Sequence, residues 1–282
     1  MIIDGKHVAK QIENSVKEAV SHIKGRKPAL AFVMVGQNPA SMTYIRMKKK
    51  RCHEVGIISL DRELPETITE AYLLEEIYKM NVDPHIDGIL VQLPLPKHIK
   101  VEKVLEAVNH QKDVDGFNPI NMGRLLLGEK GGFFPCTPYG IKLLLHHSGI
   151  DVSGKHVVIL GRSNIVGKPL AALLMQKDIG ANATVTVAHS STENLKAICL
   201  SADILIAAIG KADFVTADMV KEGAVVVDVG INRVNGKIVG DVDFEKVAPR
   251  CSGITPVPGG VGPMTIAMLL SNTLLSYQRR AG

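Results

Sequence analysis

What most constrains this chain is a series of apolar segments, each too short for a helix, at 157–160, 184–188, 204–208 and 225–229. Those at 157–160 and 204–208 are apolar throughout and read as strands buried on both faces; 225–229 is interrupted only by Asp228, and 184–188, Thr-Val-Thr-Val-Ala, is a β-branched run. Helical or loop segments at 167–177, 192–200 and 216–221 separate them. Parallel strands need crossover connections, so strands alternating with helices point to a doubly wound α/β sheet. The first half follows the same rule less cleanly. It offers a helix over 7–24, a strand at 29–35 closed by Gly36, helices over 41–55 and 70–81, and a strand at 86–93 cut off by Pro94 and Pro96. A last helix, over 264–277, is entered through a rigid segment, Pro256-Val257-Pro258-Gly259-Gly260-Val261-Gly262-Pro263.

At 282 residues the chain exceeds the usual size of one core. The fold class expected is therefore α/β, as two α/β domains flanking a cleft: residues 1–140 plus 264–282 in one, 141–263 in the other. With 46% apolar and 22% charged residues, real cores can form and disorder is not indicated. A net charge of +5, from 33 basic and 28 acidic residues, is too even for a dedicated polyanion binder but permits small anionic ligands. Cys52, Cys136, Cys199 and Cys251 lie far apart with no zinc-like spacing, so neither disulfides nor a metal site is expected. The first residues hold an acid at Asp4, and no apolar run approaches the ~20 residues of a membrane span, which leads to the expectation of a cytoplasmic protein.

The strand at 157–160 ends at Gly161, and a helix starts near Gly167, where a missing side chain lets backbone or phosphate come close. The full G-x-G-x-x-G fingerprint is absent, so the turn also fits an ordinary strand–turn–helix. The next strand discriminates further. NAD-specific sites place Asp or Glu at its end to bind the ribose hydroxyls, whereas here it runs into His189-Ser190-Ser191-Thr192. Arg162 and Ser163, with Ser190 opposite, suit a 2′-phosphate through charge-assisted hydrogen bonds, which favours NADP and makes this domain Rossmann-like. His189 reads equally well as a surface histidine.

The most basic stretch is Ser41-Met42-Thr43-Tyr44-Ile45-Arg46-Met47-Lys48-Lys49-Lys50-Arg51. At about 100° per residue, Ser41, Tyr44 and Lys48 fall within roughly 60° of one another, and Arg51 and Val55 extend the stripe. Lys49 and Lys50 lie well round from it and read as solvent-facing charges. A Tyr and a Lys one turn apart can cooperate, and burial lowers a lysine pKa, but a plain solvated helix carries the same residues. Three other segments bear on the choice. Asp87-Gly88-Ile89-Leu90-Val91-Gln92-Leu93-Pro94 puts an amide near a strand end, where open α/β sheets hold ligands. Lys112-Asp113-Val114-Asp115-Gly116 presents two acids in a loop, which turn chemistry also explains. The loop 258–265 also reads as a hinge.

Together these segments, with Pro135-Cys136-Thr137-Pro138, Gly161-Arg162-Ser163-x-x-Val166-Gly167-x-Pro169, Asp228-Val229-Gly230-Ile231-Asn232 and Pro258-Gly259-Gly260-Val261-Gly262-Pro263-Met264-Thr265, carry a family resemblance. Over nearly its whole length the chain resembles the bifunctional methylenetetrahydrofolate dehydrogenase/methenyltetrahydrofolate cyclohydrolase family. It departs from the family pattern at Ala188, where many members have cysteine, and over a slightly long segment, 176–182.

The resemblance implies NADP-dependent oxidation of 5,10-methylenetetrahydrofolate to the methenyl compound, then hydrolysis to 10-formyltetrahydrofolate. It makes Lys48 the catalytic base and proton carrier, working best with a depressed pKa beside a cationic methenyl group, with Tyr44, Gln92 and Asp115 beside it. Ser41, Tyr44, Val91, Gln92, Leu93, Asp115, Pro258, Gly259, Gly260 and Thr265 carry over as substrate-binding, and Gly161, Arg162, Ser163, Ser190 and Ile231 as cofactor-binding. A homodimer, a folate substrate and no nucleic-acid or membrane partner complete the expectation. Two rivals remain: a dehydrogenase-only or NAD-using member, and a non-catalytic module binding nucleic acid through Arg46, Lys49, Lys50 and Arg51.

Overall fold

The structure, a computed structural model, describes residues 1–281. In chain order its first elements are α1 Gly5–Ser21, β1 Ala29–Val35, α2 Pro39–Val55, β2 Ile58–Leu64, α3 Glu70–Val82, β3 Gly88–Val91, α4 Val101–Ala107, α5 Pro119–Leu127 and α6 Cys136–His147. There follow β4 His156–Leu160, α7 Gly167–Leu174, β5 Thr184–Ala188, α8 Leu195–Leu200, β6 Ile204–Ala207, β7 Val225–Asp228, β8 Asn232–Val234, β9 Lys237–Val239, α9 Phe244–Val247, β10 Gly253–Ile254 and α10 Val261–Ala281. The chain forms two compact units, one of Gln11–Cys136 with the chain from Ile266 onward, the other of Met1–Lys10 with Thr137–Thr265.

The first unit is built on a parallel sheet of order β2-β1-β3. Every residue of β1 and β3 is buried, as their uniform apolarity requires, whereas β2 is an edge strand whose side chains are largely exposed. The strand β2 carries Asp61, Arg62 and Glu63, which hide it from an apolar-run reading; β1 specifies it by pairing from Ala29↔Ile58 to Val35↔Leu64. On one face Leu73, Ile77 and Met80 of α3 pack with Ala31, Val33, Ile89 and Val91. Truncating Leu73 to Ala costs about 2–5 kcal/mol, because the buried void cannot refill.

The second unit carries a parallel sheet of order β10-β7-β6-β4-β5. Residues 1–3 extend it beside β10: the Ile3 amide donates to the Ile254 carbonyl at 2.8 Å and the Ile254 amide to the Met1 carbonyl at 3.0 Å. That pairing explains why the first ten residues belong with 137–265. The hairpin β8–β9 turns at Asn235 and Gly236, both at positive φ, the conformation that an Asn-Gly pair supplies at least cost. The rigid segment before the last helix is shorter than its sequence suggests, because α10 already begins at Val261.

Candidate active site

In a doubly wound sheet, ligands sit beyond the carboxyl ends of the strands where the strand order reverses. In the β2-β1-β3 sheet that point lies between β1 and β3, since the chain leaves β1 for β2 on one side and returns to β3 on the other. Gln92 follows β3 immediately, and α2 follows β1. Residues 112–114 run beside β3 through the Ile89↔Asp113 bridge, which delivers Asp115 to the same rim.

Along α2 the buried positions are Ser41, Ile45, Lys48, Cys52 and Val55, one stripe at spacings of four and three. Lys48 therefore occupies a core position, 7% exposed, with its Nζ donating to Gln92 Oε1 at 3.2 Å. Gln92 is oriented in turn: its Nε2 donates to the Leu93 carbonyl at 2.7 Å, which leaves Oε1 facing the lysine. The Ser41 hydroxyl reaches the same carbonyl at 3.4 Å. Burial raises the Asp115 carboxyl above the usual carboxylate range, and attraction to Lys48 and the Cys136 thiol draws it back. Tyr44 is half-buried on the flank of the stripe, and burial raises its phenol pKa. Thus Ser41, Lys48, Gln92, Leu93 and Asp115 come together, with Tyr44 at the edge. The Val91 side chain packs into the core instead.

The neighbouring motif residues are structural. Lys112 is buried and donates from Nζ to the Met80 and Asp83 carbonyls, closing the end of α3. Asp113 accepts from the Gly116, Phe117 and Asn118 amides and from Asn121 Nδ2, so it shapes the loop that holds Asp115. Asp87, fully buried, takes a bidentate pair from Arg26 at 2.6 and 2.8 Å. Sequence reasoning missed Cys136 and Asn272 as supports: Asn272 Nδ2 donates to the Val114 carbonyl at 2.9 Å, and Cys136 Sγ donates to it at 3.3 Å. Their only sequence signal is a polar residue within an apolar helix and a cysteine in a Pro-Cys-Thr-Pro run.

Three of the other four cations in the basic stretch of α2 meet acids. Lys49 pairs with Asp61 and Glu63, Lys50 with Glu54, and Arg51 with Glu13 and Glu54. Lys49 is accordingly not a free solvent-facing charge, because β2 lies beside it.

The β10-β7-β6-β4-β5 sheet reverses between β4 and β6. Gly161, at φ +119°, stands on this rim, where an added Cβ would lie 2.2 Å from the Ala208 carbonyl oxygen. A Cβ on Gly167 would lie 2.0 Å from the Gly161 oxygen, so the turn and α7 close only on glycine. The Ser163 hydroxyl accepts from the Val166 and Gly167 amides, at 3.1 and 3.4 Å, and so fixes the turn. Register pairs Leu160 with Ala188, so Arg162–Ser163 and His189–Ser190 leave adjacent strands side by side. Arg162 and Ser190 are exposed, and β5 runs into His189-Ser190-Ser191-Thr192 with no carboxylate at its end. These features fit a nucleotide with a 2′-phosphate. Ile231 is exposed in the loop after β7. In the same unit Pro258 is exposed, Gly259 accepts from the Lys6 amide at 3.1 Å, and Thr265 shares a 2.8 Å hydroxyl contact with Thr137.

Comparison with known proteins agrees with this geometry. Residues 3–115 match the tetrahydrofolate dehydrogenase/cyclohydrolase catalytic domain, and residues 135–281 match that family's NAD(P)-binding domain. The chain is 59% identical to the bifunctional protein FolD of Protochlamydia amoebophila, over 99% of this chain and 98% of that one. The crystal structure of the bifunctional FolD methylenetetrahydrofolate dehydrogenase/cyclohydrolase of Campylobacter jejuni superposes with a TM-score of 0.96 at 51% identity, covering 99% of each chain. A Trypanosoma brucei methylenetetrahydrofolate dehydrogenase-cyclohydrolase, solved with NADP and an inhibitor, matches at TM-score 0.93 and 39% identity, over 100% of this chain and 98% of that one. With both domain models matched in order and such identity over its full length, the chain belongs to the tetrahydrofolate dehydrogenase/cyclohydrolase family.

Proposed function

We infer that the protein oxidises 5,10-methylenetetrahydrofolate with NADP and hydrolyses the methenyl product to 10-formyltetrahydrofolate. The observation that carries this reading is Lys48 held at a core position with its ammonium against the Gln92 amide and beside Asp115, rather than closing a helix end as the buried Lys112 does. Bound NADP supplies the hydride acceptor. Lys48 takes a proton from the water that adds to the cationic methenyl carbon and returns it to the ring nitrogen as the carbon–nitrogen bond breaks, while the remaining O–H proton leaves to solvent as the formyl C=O forms. Gln92 holds Lys48 in line, and its own orientation comes from the Leu93 carbonyl. Asp115 accepts the paired N–H donors of the pterin edge, and Tyr44 lies against the folate ring. Arg162, Ser163 and Ser190 hold the 2′-phosphate, and Ile231 lies against the cofactor. Pro258, Gly259, Gly260 and Thr265 contribute to folate binding. By family resemblance the working form is a cytoplasmic homodimer with no nucleic-acid or membrane partner, which sedimentation and localisation of the tagged chain test.

The deciding experiment follows two rates on purified protein: NADP reduction with methylenetetrahydrofolate, and loss of methenyl absorbance without nucleotide. Both rates above background, with NADP preferred over NAD, are expected. Absence of hydrolysis identifies a dehydrogenase-only member, and a preference for NAD overturns the 2′-phosphate assignment.

A further inference from the structure

A buried carboxylate at the nucleotide rim has no role in the motifs above. Asp241, fully buried, follows the β8–β9 hairpin. Its Oδ2 accepts from the Ile209 and Gly210 amides at 2.7 and 2.8 Å, just past β6, and its Oδ1 accepts from Asn232 Nδ2 at 2.9 Å, at the start of β8 where the loop after β7 ends. Asn232 Nδ2 also donates to the Gly240 carbonyl at 3.1 Å. Asp228 locks the same segment from the other side, accepting from the Gly230 and Asp241 amides at 2.9 Å and the Val242 amide at 3.0 Å. The fit is tight. A Cβ on Gly230 would lie 2.3 Å from Asp241 Oδ1, and one on Gly240 would lie 1.8 Å from Asp228 Oδ2.

The two loops so joined each present an exposed isoleucine, Ile209 at 39% and Ile231 at 46%. Ile209 adjoins Ala208, whose carbonyl oxygen borders the position of Gly161 at the strand reversal, so its loop lies on the rim where an α/β sheet holds a nucleotide. Exposed isoleucines on a rim so rigidly tied suit the face of a flat ring, and the ties require a carboxylate that accepts from two loops at once.

We propose that Asp241 is a positioning residue for the cofactor: by joining the loops after β6 and β7 it sets the Ile209 and Ile231 faces against the bound nucleotide. This rests on the NADP-dependent reading of the same rim. The test compares wild type, Asp241→Ala and Asp241→Asn for NADP affinity by calorimetry, KM for NADP, nucleotide-free methenyl hydrolysis and thermal midpoint. Leaving the two amides unpaired in Asp241→Ala is expected to weaken NADP binding about tenfold. Asp241→Asn, which keeps an acceptor for the amides, loses less, and methenyl hydrolysis stays at the wild-type rate in both. Unchanged NADP affinity in folded Asp241→Ala overturns the proposal, as does a parallel fall of hydrolysis and NADP affinity that tracks the midpoint. If Asp241→Ala does not fold, Asn232→Ala, which removes one donor, is read by the same criteria. Wild type that binds NADP without reducing it overturns the proposed reaction and leaves the calorimetric test of Asp241 intact.

Discussion

The two sheets solve the same topological problem and arm it differently. Both are parallel, both reverse strand order beside their earliest strand, and both gather their motif residues at the carboxyl rim. At the β1/β3 rim the residues proposed to carry the chemistry are side chains, Lys48 buried and Gln92 and Asp115 half-buried beside it. At the β4/β6 rim it is carried by backbone, with Gly161 and Gly167 admitting close approach and Arg162 and Ser190 left exposed. Proton transfer gains from desolvation, which tunes a side chain's acidity. Phosphate binding gains from amides, fixed turns and reachable charge. The comparison teaches that one wound-sheet plan builds a rim of half-withdrawn side chains or a rim of exposed charge and close backbone, which the proposed function uses for reaction and for cofactor binding respectively.

The sharpest way to break the comparison is Lys48→Met, which keeps the buried stem and removes the proton carrier. Methenyl hydrolysis is expected to fall by about 10²–10⁴ while circular dichroism and NADP affinity stay as in wild type. Unchanged hydrolysis in folded protein would falsify the side-chain account of this rim. Next in size is Gly161→Ala, where a left-handed φ and a 2.2 Å approach to the Ala208 oxygen combine. Stability is expected to drop by about 2–4 kcal/mol in urea titration, with NADP binding lost, because neither backbone can yield cheaply. Wild-type NADP affinity in this variant would show the rim to be less backbone-built than described.

Arg162→Ala sharpens the binding side. Losing a charge-assisted contact is expected to raise KM for NADP about tenfold and leave KM for NAD unchanged. Equal effects on both nucleotides would move the 2′-phosphate elsewhere. The smallest effect concerns pH. Burial, reinforced by Arg280, lowers the Lys112 pKa from 10.5 to about 8. A folded-state pKa below the unfolded one means that the buried ammonium costs stability below pH 8, a cost relieved as pH rises from 8 towards 10.5. The thermal midpoint of wild type relative to Lys112→Met is expected to rise modestly over that window. A flat or falling difference removes the buried-charge explanation.

Much of this was legible early. The strands at 157–160, 184–188, 204–208 and 225–229 stand within a residue of β4–β7: in β4, β6 and β7 apolarity and burial coincide, whereas β5, at the sheet edge, is only partly buried and is marked by its β-branched Thr-Val-Thr-Val run. Helical angle puts Lys48 on one stripe with Ser41, Tyr44, Arg51 and Val55; Ser41, Lys48 and Val55 are buried, whereas Tyr44 and Arg51 are half-buried at its edge. Other parts were less legible. The strand β2 reads as a charged segment, and only pairing with β1 makes it a strand. The helices α4, α5 and α6 lie among turn residues and prolines, outside the elements that the sequence pattern predicts. The β8–β9 hairpin has a local signal in Asn235-Gly236, both at positive φ. Its consequence, Asp241 reaching two strand ends, had none.

By itself the sequence determined a doubly wound α/β protein with a lysine-bearing helix and a glycine turn ready for a nucleotide, because periodicity and side-chain size act locally. The tertiary structure alone decided which of several similar residues do which work. It gave Asp113 to a loop and left Asp115 on the rim, paired Lys49, Lys50 and Arg51 with acids while setting Lys48 against an amide, and joined residues 1–3 to a strand some 250 positions away. Pairing, burial and desolvation depend on what the rest of the chain brings alongside, and local pattern carries no record of that.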